Sequence, residues 1–382
     1  MKKPNAGRSK NPLVRLLANK RFQFIIIPLF SILCSLLAIS IIVLLIGKSP
    51  LAVFSSILQG AGLLPRANYA KFQNIFTTFM ETLNAMTPML FAALAVAVAS
   101  KAGLFNIGVS GQMLIAGFTA TVLVGYSSLP RAVAMPLVII IGIVVGALAG
   151  GLIGLLKYRF NINEVVSSIM LNYIFQYTIS YFINVYYADP VTRQSKNVAE
   201  TARLTLINVE VGDLKINIAL CFVLALFAAW ALYVFVFKTR KGYEIKAVGL
   251  NPKAAEYAGM RVGGTIVLAM IISGALSGLA GVTYYLGYYS SIRPNVLASM
   301  GFDSIAVALL GNAHPIGIIF SSFLITTLDR GSTYMSSNVG VQQEVASLVT
   351  GMILLFSACG AYIRDWADRK NRAAGAKEKS RV

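Results

Sequence analysis

TRKGYEIKAVGLNPKAAEYAGM, residues 239–260, is a polar island between two long apolar runs. Its residues spell a short helix held on a loop: Asn251 caps it, Pro252 suits its first position, Ala254, Ala255, Glu256, Tyr257 and Ala258 continue it, and Gly259 stops it. The stretch is too polar to enter lipid and too short to fold alone. Ala254, Ala255 and Ala258 would let another backbone approach closely, while Lys253 and Glu256 keep the segment soluble. On pattern alone, an ordinary capped loop between two membrane spans explains the island equally well, so the flanking chain has to decide.

That chain has 382 residues, 57% hydrophobic and 12% charged, with a mean hydropathy of +0.72. Such a composition excludes an ordinary soluble domain and implies a polytopic membrane protein. The formal charge of +19 does not imply nucleic acid, because the basic residues gather at the chain ends and in short loops between apolar runs. Residues 1–21 carry Lys2, Lys3, Arg8, Lys10, Arg15, Lys20 and Arg21 without one acid, which places this end in the cytoplasm. Cys34, Cys221 and Cys359 lie in separate apolar runs and make neither a disulfide nor a zinc pattern. The letters GKS at 47–49 are not a phosphate loop, since Ile42 stands where that loop needs its first glycine.

In chain order, residues 22–46 read as an uncleaved first span, 48–81 as an external segment with a weakly amphipathic piece at 50–58, and 82–100 as a crossing inward. KAGLFNIGVSGQMLIAGF, residues 101–118, crowds Gly103, Asn106, Gly108, Gly111 and Gln112 into its first half. Such backbone is tolerated at membrane depth only where protein or a watery cavity satisfies it. In the span 132–156, Gly142, Gly146, Gly150 and Gly154 fall on one face and predict a close helix contact, with Gly274 and Gly278 in 264–287 as a second small-residue surface. NINEVVSSIMLNYIFQY, residues 161–177, opens another span: Asn161 or Asn163 caps it, Glu164 sits in its first turn, and Asn172 and Gln176 share a face. Residues 188–214 read as an external loop and 216–237 as a crossing inward, so the island is cytoplasmic. Two short apolar pieces in 301–328 flank GNAHP and make either two tilted helices or a re-entrant hairpin; 341–362 is the last crossing, and the tail is basic. The expectation is an all-α polytopic protein with about ten transmembrane helices, or about eight plus a hairpin, and both termini cytoplasmic. It divides into a basic segment 1–21, a membrane domain 22–362 carrying the loop 239–261, and a basic tail 363–382. Residues 107–117 echo 300–311, an echo compatible with an inverted repeat.

Chemistry is sparse. The one histidine, His314, lies in a predicted turn and reads as structural. Asp303 is the carboxylate best placed to lie in the membrane, and it reads equally as a first-turn acid after Gly301. A gradient-driven transporter keeps deep ionisable residues for ion coupling, and this chain is poor in them. With no nucleotide-binding signature of its own, an active transporter of this kind would draw energy from another chain, and the island is the natural receiver.

KAGLFNIGVSGQMLIAGF, NEVVSSIMLNYI and AVGLNPKAAEYAGM, in that order, resemble the permease subunits of bacterial ABC importers for nucleosides and simple sugars. The similarity covers nearly all of 22–362. One departure is Ser110, where the family pattern has Glu, so no charged role is carried to that position. The resemblance implies a BtuC-like type II importer fold with inverted repeats, in a bacterial plasma membrane. The implied partners are an ABC ATPase subunit that binds ATP and Mg, a second permease (homologous or identical), and a lipid-anchored substrate-binding protein outside. It makes 249–259, with Gly249, Asn251, Pro252, Ala254, Ala255, Glu256 and Gly259, the coupling helix that docks on the ATPase. No catalytic residue, metal site or cofactor is expected in this chain. For the path of a neutral nucleoside, the amides and carboxyl of Asn106, Gln112, Asn172, Gln176 and Asp303 are the candidates. The alternatives are a permease for ribose or another simple sugar, and an ion-coupled secondary transporter built on Asp303.

Overall fold

The structure, a computed structural model, describes residues 23–66, 69, 71–341 and the positions 348, 351–352, 355–356 and 369. It divides into two compact units, one of residues 1–54 and 335–382 and one of residues 55–334. The first contains α1 (Gln23–Leu45), and within it Lys48 Nζ donates to the Val339 carbonyl over 2.9 Å. Helix α2 (Pro50–Gly60) follows.

The larger unit is built around α3 (Ile75–Lys101). Asn74 caps it in a reciprocal box with Thr77, the Asn74 side chain accepting from Thr77 N over 3.0 Å and Thr77 Oγ1 accepting from Asn74 N over 2.9 Å. Its second half, AALAVAVA, is small and apolar on every face, the pattern of a helix surrounded by others. Of its apolar window 89% is buried, against 28% for the corresponding windows of α5 (Arg131–Phe160) and α7 (Leu220–Lys238), so α3 is the centre and those two are the rim.

The glycine face of α5 meets α10 (Val262–Val282). A methyl on Gly146 or Gly150 would run into the Gly274 or Met270 carbonyl, and one on Gly274 or Gly278 into the carbonyls of Gly146 or Gly142. The two small-residue surfaces read from the sequence are thus the two sides of one seam, where backbones touch. Helix α6 (Glu164–Phe182) starts at Asn163, whose side chain accepts from Val165 N over 2.9 Å, while Asn161 ends α5 in the left-handed region at φ 52°. Lys157 then pairs with Glu164 over 3.0 Å across the turn.

Several expected crossings are interrupted. After α3 the chain turns at Gly103, runs irregularly to Gly108, and only then forms the 12-residue α4 (Val109–Ala120) with a π turn at Thr121–Gly125. Helix α11 (Ser299–Leu310) has 12 residues, and α12 (Pro315–Val339) returns from the turn at Gly311–His314 with Asp329 and Arg330 in its run. Among the described residues four helical segments are long and apolar enough to cross a membrane: Ile75–Lys101, Arg131–Phe160, Leu220–Lys238 and Val262–Tyr288. A fifth is reached if Ile32–Leu45 and Pro50–Gly60 form one bent span. This corrects the expected count of about ten, and with it the BtuC-like type II architecture with inverted repeats. The reason is physical: α4 and α11 are cut short at polar or glycine-bearing breaks, and α6 and α12 carry too many polar groups to count as apolar spans. The expected crossing at 341–362 and both basic ends lie almost wholly outside the described residues.

The segment before α7 is also not the plain loop expected. Residues Thr205–Val211 (β1) and Leu214–Ala219 (β2) pair antiparallel from Thr205 opposite Ala219 to Val211 opposite Leu214. Gly212, at φ 62°, supplies the left-handed turn position, and α7 begins at Leu220 rather than at 216.

Candidate functional site

The island is two helices. Thr239 Oγ1 donates to the Phe235 carbonyl over 2.6 Å and accepts from Gly242 N over 3.1 Å, folding α8 (Arg240–Leu250) back on the end of α7. Gly242 has no room for a side chain, since one would meet the Phe235 carbonyl. Helix α8 buries Ile245 and Val248, and its Glu244 receives Lys241 Nζ at 2.8 Å and Arg240 Nε at 3.4 Å. The Lys241 hydrogen bond holds the Glu244 carboxyl below the usual carboxylate range, against a smaller opposing push from desolvation.

The expected short helix follows as α9 (Pro252–Tyr257), with Asn251 Oδ1 accepting from Ala254 N over 3.1 Å and Gly259 ending it at φ 78°. Met260 N then donates to the Ala255 carbonyl over 3.0 Å, closing the last turn. Ala255 is 4% exposed and anchors α9 inward, whereas Ala254 and Ala258 face out. Leu250, the last residue of α8, and Tyr257, the last residue of α9, are 88% and 94% exposed and leave bare apolar surface on a polar loop. Reading the island for small residues missed both; two large apolar side chains inside an otherwise polar stretch were the available signal.

Gly249 rests on the link between α3 and α4. A Cβ there would meet the Lys101 carbonyl and lie 2.9 Å from both the Ala102 carbonyl carbon and Gly103 N. Gly103, at φ 73°, faces back, its own Cβ position 3.0 Å from the Gly249 oxygen. Beside this contact Lys246 Nζ lies 4.8 Å from the Phe237 ring centre, and the His314 ring packs 5.1 Å from Phe237 and 5.7 Å from Tyr233.

Three of the five path candidates come together around the interrupted backbone. Asn106 Nδ2 donates to Gln112 Oε1 over 3.1 Å and to Ser273 Oγ over 2.9 Å. Asn106 Oδ1 accepts from Gly108 N over 2.9 Å and from Gln112 Nε2 over 3.3 Å. Ser273 Oγ passes its proton to the Ala95 carbonyl over 2.7 Å, so the group joins α3, α4 and α10. Asn172 on α6 accepts from Gly111 N over 2.9 Å and donates to the Ile107 carbonyl over 3.0 Å; an added methyl on Gly111 would collide with it. These three amides are buried and occupied with protein partners, which is how polar backbone survives at this depth.

Gln176 and Asp303 stand apart from that group. Gln176 Nε2 donates to the Asn295 carbonyl over 2.7 Å, while Asn295 N donates to Ser180 Oγ over 2.7 Å, fixing the loop before α11. Asp303 is half-buried in α11 and makes no hydrogen bond or ion pair among the described residues. Nearby chemistry not singled out in the sequence is the Glu81–Arg330 ion pair at 2.6 Å, with Arg330 Nη1 also donating to Tyr288 Oη over 3.2 Å. Among the described residues no three His, Cys, Asp or Glu side chains gather as a metal site.

Residues 78–358 match the family described as "Branched-chain amino acid transport system / permease component". The chain is 35% identical over 350 residues to the nucleoside ABC transporter permease protein NupB of Lactococcus lactis subsp. cremoris, covering 89% of this chain and 92% of that one. It is 36% identical over 348 residues to the guanosine ABC transporter permease protein NupP of Bacillus subtilis, covering 90% and 96%. To the glucose ABC transporter permease protein TsgB13 of Haloferax volcanii it is 27% identical over 331 residues, covering 81% and 86%.

Proposed function

The chain belongs to the branched-chain amino acid transport system/permease component family and is the multi-pass permease subunit of an ABC transporter with a separate ATPase; on that premise we propose that its cargo is a neutral nucleoside. The support is the pair of full-length relatives whose names carry nucleosides or guanosine, at 35% and 36% identity, against 27% for the glucose permease. That glucose relative keeps a simple sugar as the second reading. A second permease and a lipid-anchored binding protein complete the proposed importer, with 22–362 as the membrane domain and both basic termini in the cytoplasm.

The proposed ATPase dock is the island. The observation that carries it is Leu250, just before a six-residue helix, and Tyr257, its last residue, both bare on a helix already capped and anchored by its neighbours. A rigid helix end presenting two unpartnered apolar side chains suits a groove in another protein. In the proposed path, Asn106, Gln112 and Asn172 hold the interrupted backbone in shape, and Gln176 and Asp303 are the groups left near cargo. Replacing Leu250 and Tyr257 by alanine, with the chain's membrane level monitored, is expected to abolish both ATPase co-purification and uptake of radiolabelled nucleoside. Full retention of the ATPase by that double variant would remove the island from this role, and uptake of glucose or ribose without nucleosides would replace the cargo.

A further inference from the structure

The end of α10 farthest from the island carries a feature that neither the docking surface nor the amide group uses. From Val262 to Tyr288 the span has 27 residues, which at about 1.5 Å per residue puts its far end roughly 40 Å from the island. There a chamber of about 260 Å³ opens between the π turn Thr283–Tyr288, the loop before α11 and residue 194 of the segment before β1. Its walls include Tyr284, Tyr285, Tyr289, Gln194, Ser291 and Arg293.

The tyrosines hold one another edge to face. Tyr284 lies 4.9 Å from Tyr285 at 89° and 4.9 Å from Tyr289 at 64°, and Tyr288 lies 4.7 Å from Tyr289 at 80°. Such contacts fix the rings without using every face. Tyr289 is 40% exposed, so ring surface is left for a further aromatic partner.

Beside hydroxyls that can donate or accept, the chamber's amide and guanidinium are left as donors. Gln194 Oε1 is already taken by Ser291 Oγ over 2.7 Å, which leaves the Gln194 amide hydrogens to donate. Arg293 makes no hydrogen bond or ion pair among the described residues, so its guanidinium fork is free. No carboxylate lines the space. A ligand edge set against Arg293 and Gln194 must therefore offer acceptors, and the planar fork of an arginine matches two adjacent acceptors in one plane.

The walls are also fixed in advance. Ser195 N donates to the Ile292 carbonyl over 2.9 Å, Ile292 N to Ser195 Oγ over 2.8 Å, and Val198 N to the Ser290 carbonyl over 2.9 Å. On the other side Gln176 and Ser180 clamp Asn295, which sits at φ 60°. A preformed, ring-lined space with a few directed donors is the usual form of a small-molecule site.

We propose that this chamber is an entry site for the base of a nucleoside, stacked on Tyr289 and read by Arg293 and Gln194, and that it favours purines with the adjacent O6 and N7 acceptors over adenine, whose amine stands in place of O6. The inference rests on the nucleoside reading above. The O6/N7 edge of a 6-oxopurine offers arginine two acceptors, whereas adenine replaces O6 by a donor.

The test is equilibrium binding of tritiated inosine to the full permease–ATPase complex in lipid nanodiscs, without the external binding protein, with adenosine, ribose and inosine monophosphate as competitors. Inosine is expected to bind, adenosine to compete about tenfold or more weakly, and ribose least. Tyr289→Ala is expected to weaken inosine about 5- to 150-fold, Tyr289→Phe to keep it, and Arg293→Ala to erase the preference for inosine over adenosine. Arg293→Ala and Gln194→Ala alter exposed or half-buried loop positions, so they carry the test if Tyr289→Ala fails to reach the membrane. Unchanged binding in all variants would overturn the chamber while leaving nucleoside transport intact. So would absence of binding by a complex whose whole importer takes up nucleosides, and so would preference for the monophosphate, which would make Arg293 a phosphate contact. If the whole importer takes up no nucleoside, the cargo reading falls and this inference with it.

Discussion

Replacing Gly249 by valine tests whether the island moves the membrane part or merely sits beside it. The new Cβ would overlap the Lys101 carbonyl and approach the Ala102 carbonyl carbon and Gly103 N at 2.9 Å. All three obstacles are backbone, so no side chain can swing away. The junction has to open by roughly an ångström, and overpacking of this kind costs about 1–3 kcal/mol. Read as a shift in the closed-to-open ratio of the contact, that is about a 5- to 150-fold change. Leu250 and Tyr257 are untouched, so the ATPase should still co-purify with the variant. In proteoliposomes holding the variant and its partners, the ATPase is expected to hydrolyse ATP while nucleoside uptake per ATP falls about tenfold or more. Gly103→Ala should act in the same direction, because its left-handed φ of 73° is strained for alanine and its Cβ would lie 3.0 Å from the Gly249 oxygen. Uptake per ATP equal to that of the native chain, with the protein intact in the membrane, would refute the reasoning: the glycine contact would then be packing and nothing more.

Asn106→Ala leaves the Gln112 amide and Gly108 N without buried partners and takes from the Ser273 hydroxyl the donor it accepts from, leaving it only the Ala95 carbonyl. At about 1–3 kcal/mol for an unsatisfied group, the detergent-solubilised protein should show a clearly lower unfolding midpoint, and Asn106→Asp should not restore it because an acid cannot return both donors. Glu244 gives a pH dependence. Its carboxyl is held below the usual range by Lys241 first, so its stabilisation is complete above the ordinary carboxylate value and is lost as pH falls through the lowered one. Thermal unfolding of the purified chain between about pH 7 and pH 3 should therefore show a shallower acid-side fall for Glu244→Gln than for the native chain, from a lower starting midpoint; parallel curves would contradict the assignment.

How far the sequence disclosed this molecule depended on whether the deciding force was local. The α9 cap at Asn251 and the stop at Gly259 are set by neighbouring residues and were legible, and the start of α6 was narrowed to Asn161 or Asn163, of which the structure uses Asn163. The glycine seam was legible as two small-residue surfaces, on α5 and α10, and that the two face each other emerged only in the structure. The number of crossings was not. Hydropathy marks where a chain tolerates lipid, but α4 and α11 owe their short length to polar groups in other helices that accept the interrupted backbone, and sequence distance hides those partners. The β hairpin was legible in principle: TLINVEV and LKINIA alternate around Gly212-Asp213, and reading the stretch only for charge and loop length passed over a two-residue turn signal. At the candidate site the sequence offered residue types, and their roles were underdetermined. Asn106 and Gln112 look identical in a sequence whether they face a cargo or each other, and only the closed set of donors and acceptors separates the two.

That closed set bears on how work could travel. Between the island and the amide group there is a short run of contacts: Gly249 on Lys101 to Gly103, then three residues of chain to Asn106, then Gln112 on α4 and Ser273 on α10. These contacts are backbone against backbone or buried amides hydrogen-bonded to one another and to Ser273. Elements joined in this way move together or break, because a displaced amide loses a buried hydrogen bond and a displaced glycine contact has no methyl to compress. A load applied at Leu250 and Tyr257 would therefore arrive at the interrupted end of α4 as a displacement rather than being absorbed on the way. Contiguity alone does not make a pathway, which is why the uptake-to-ATP ratio of the Gly249 variant, rather than its uptake alone, is the decisive quantity. Loss of docking removes both terms of that ratio, whereas loss of transmission removes only the numerator.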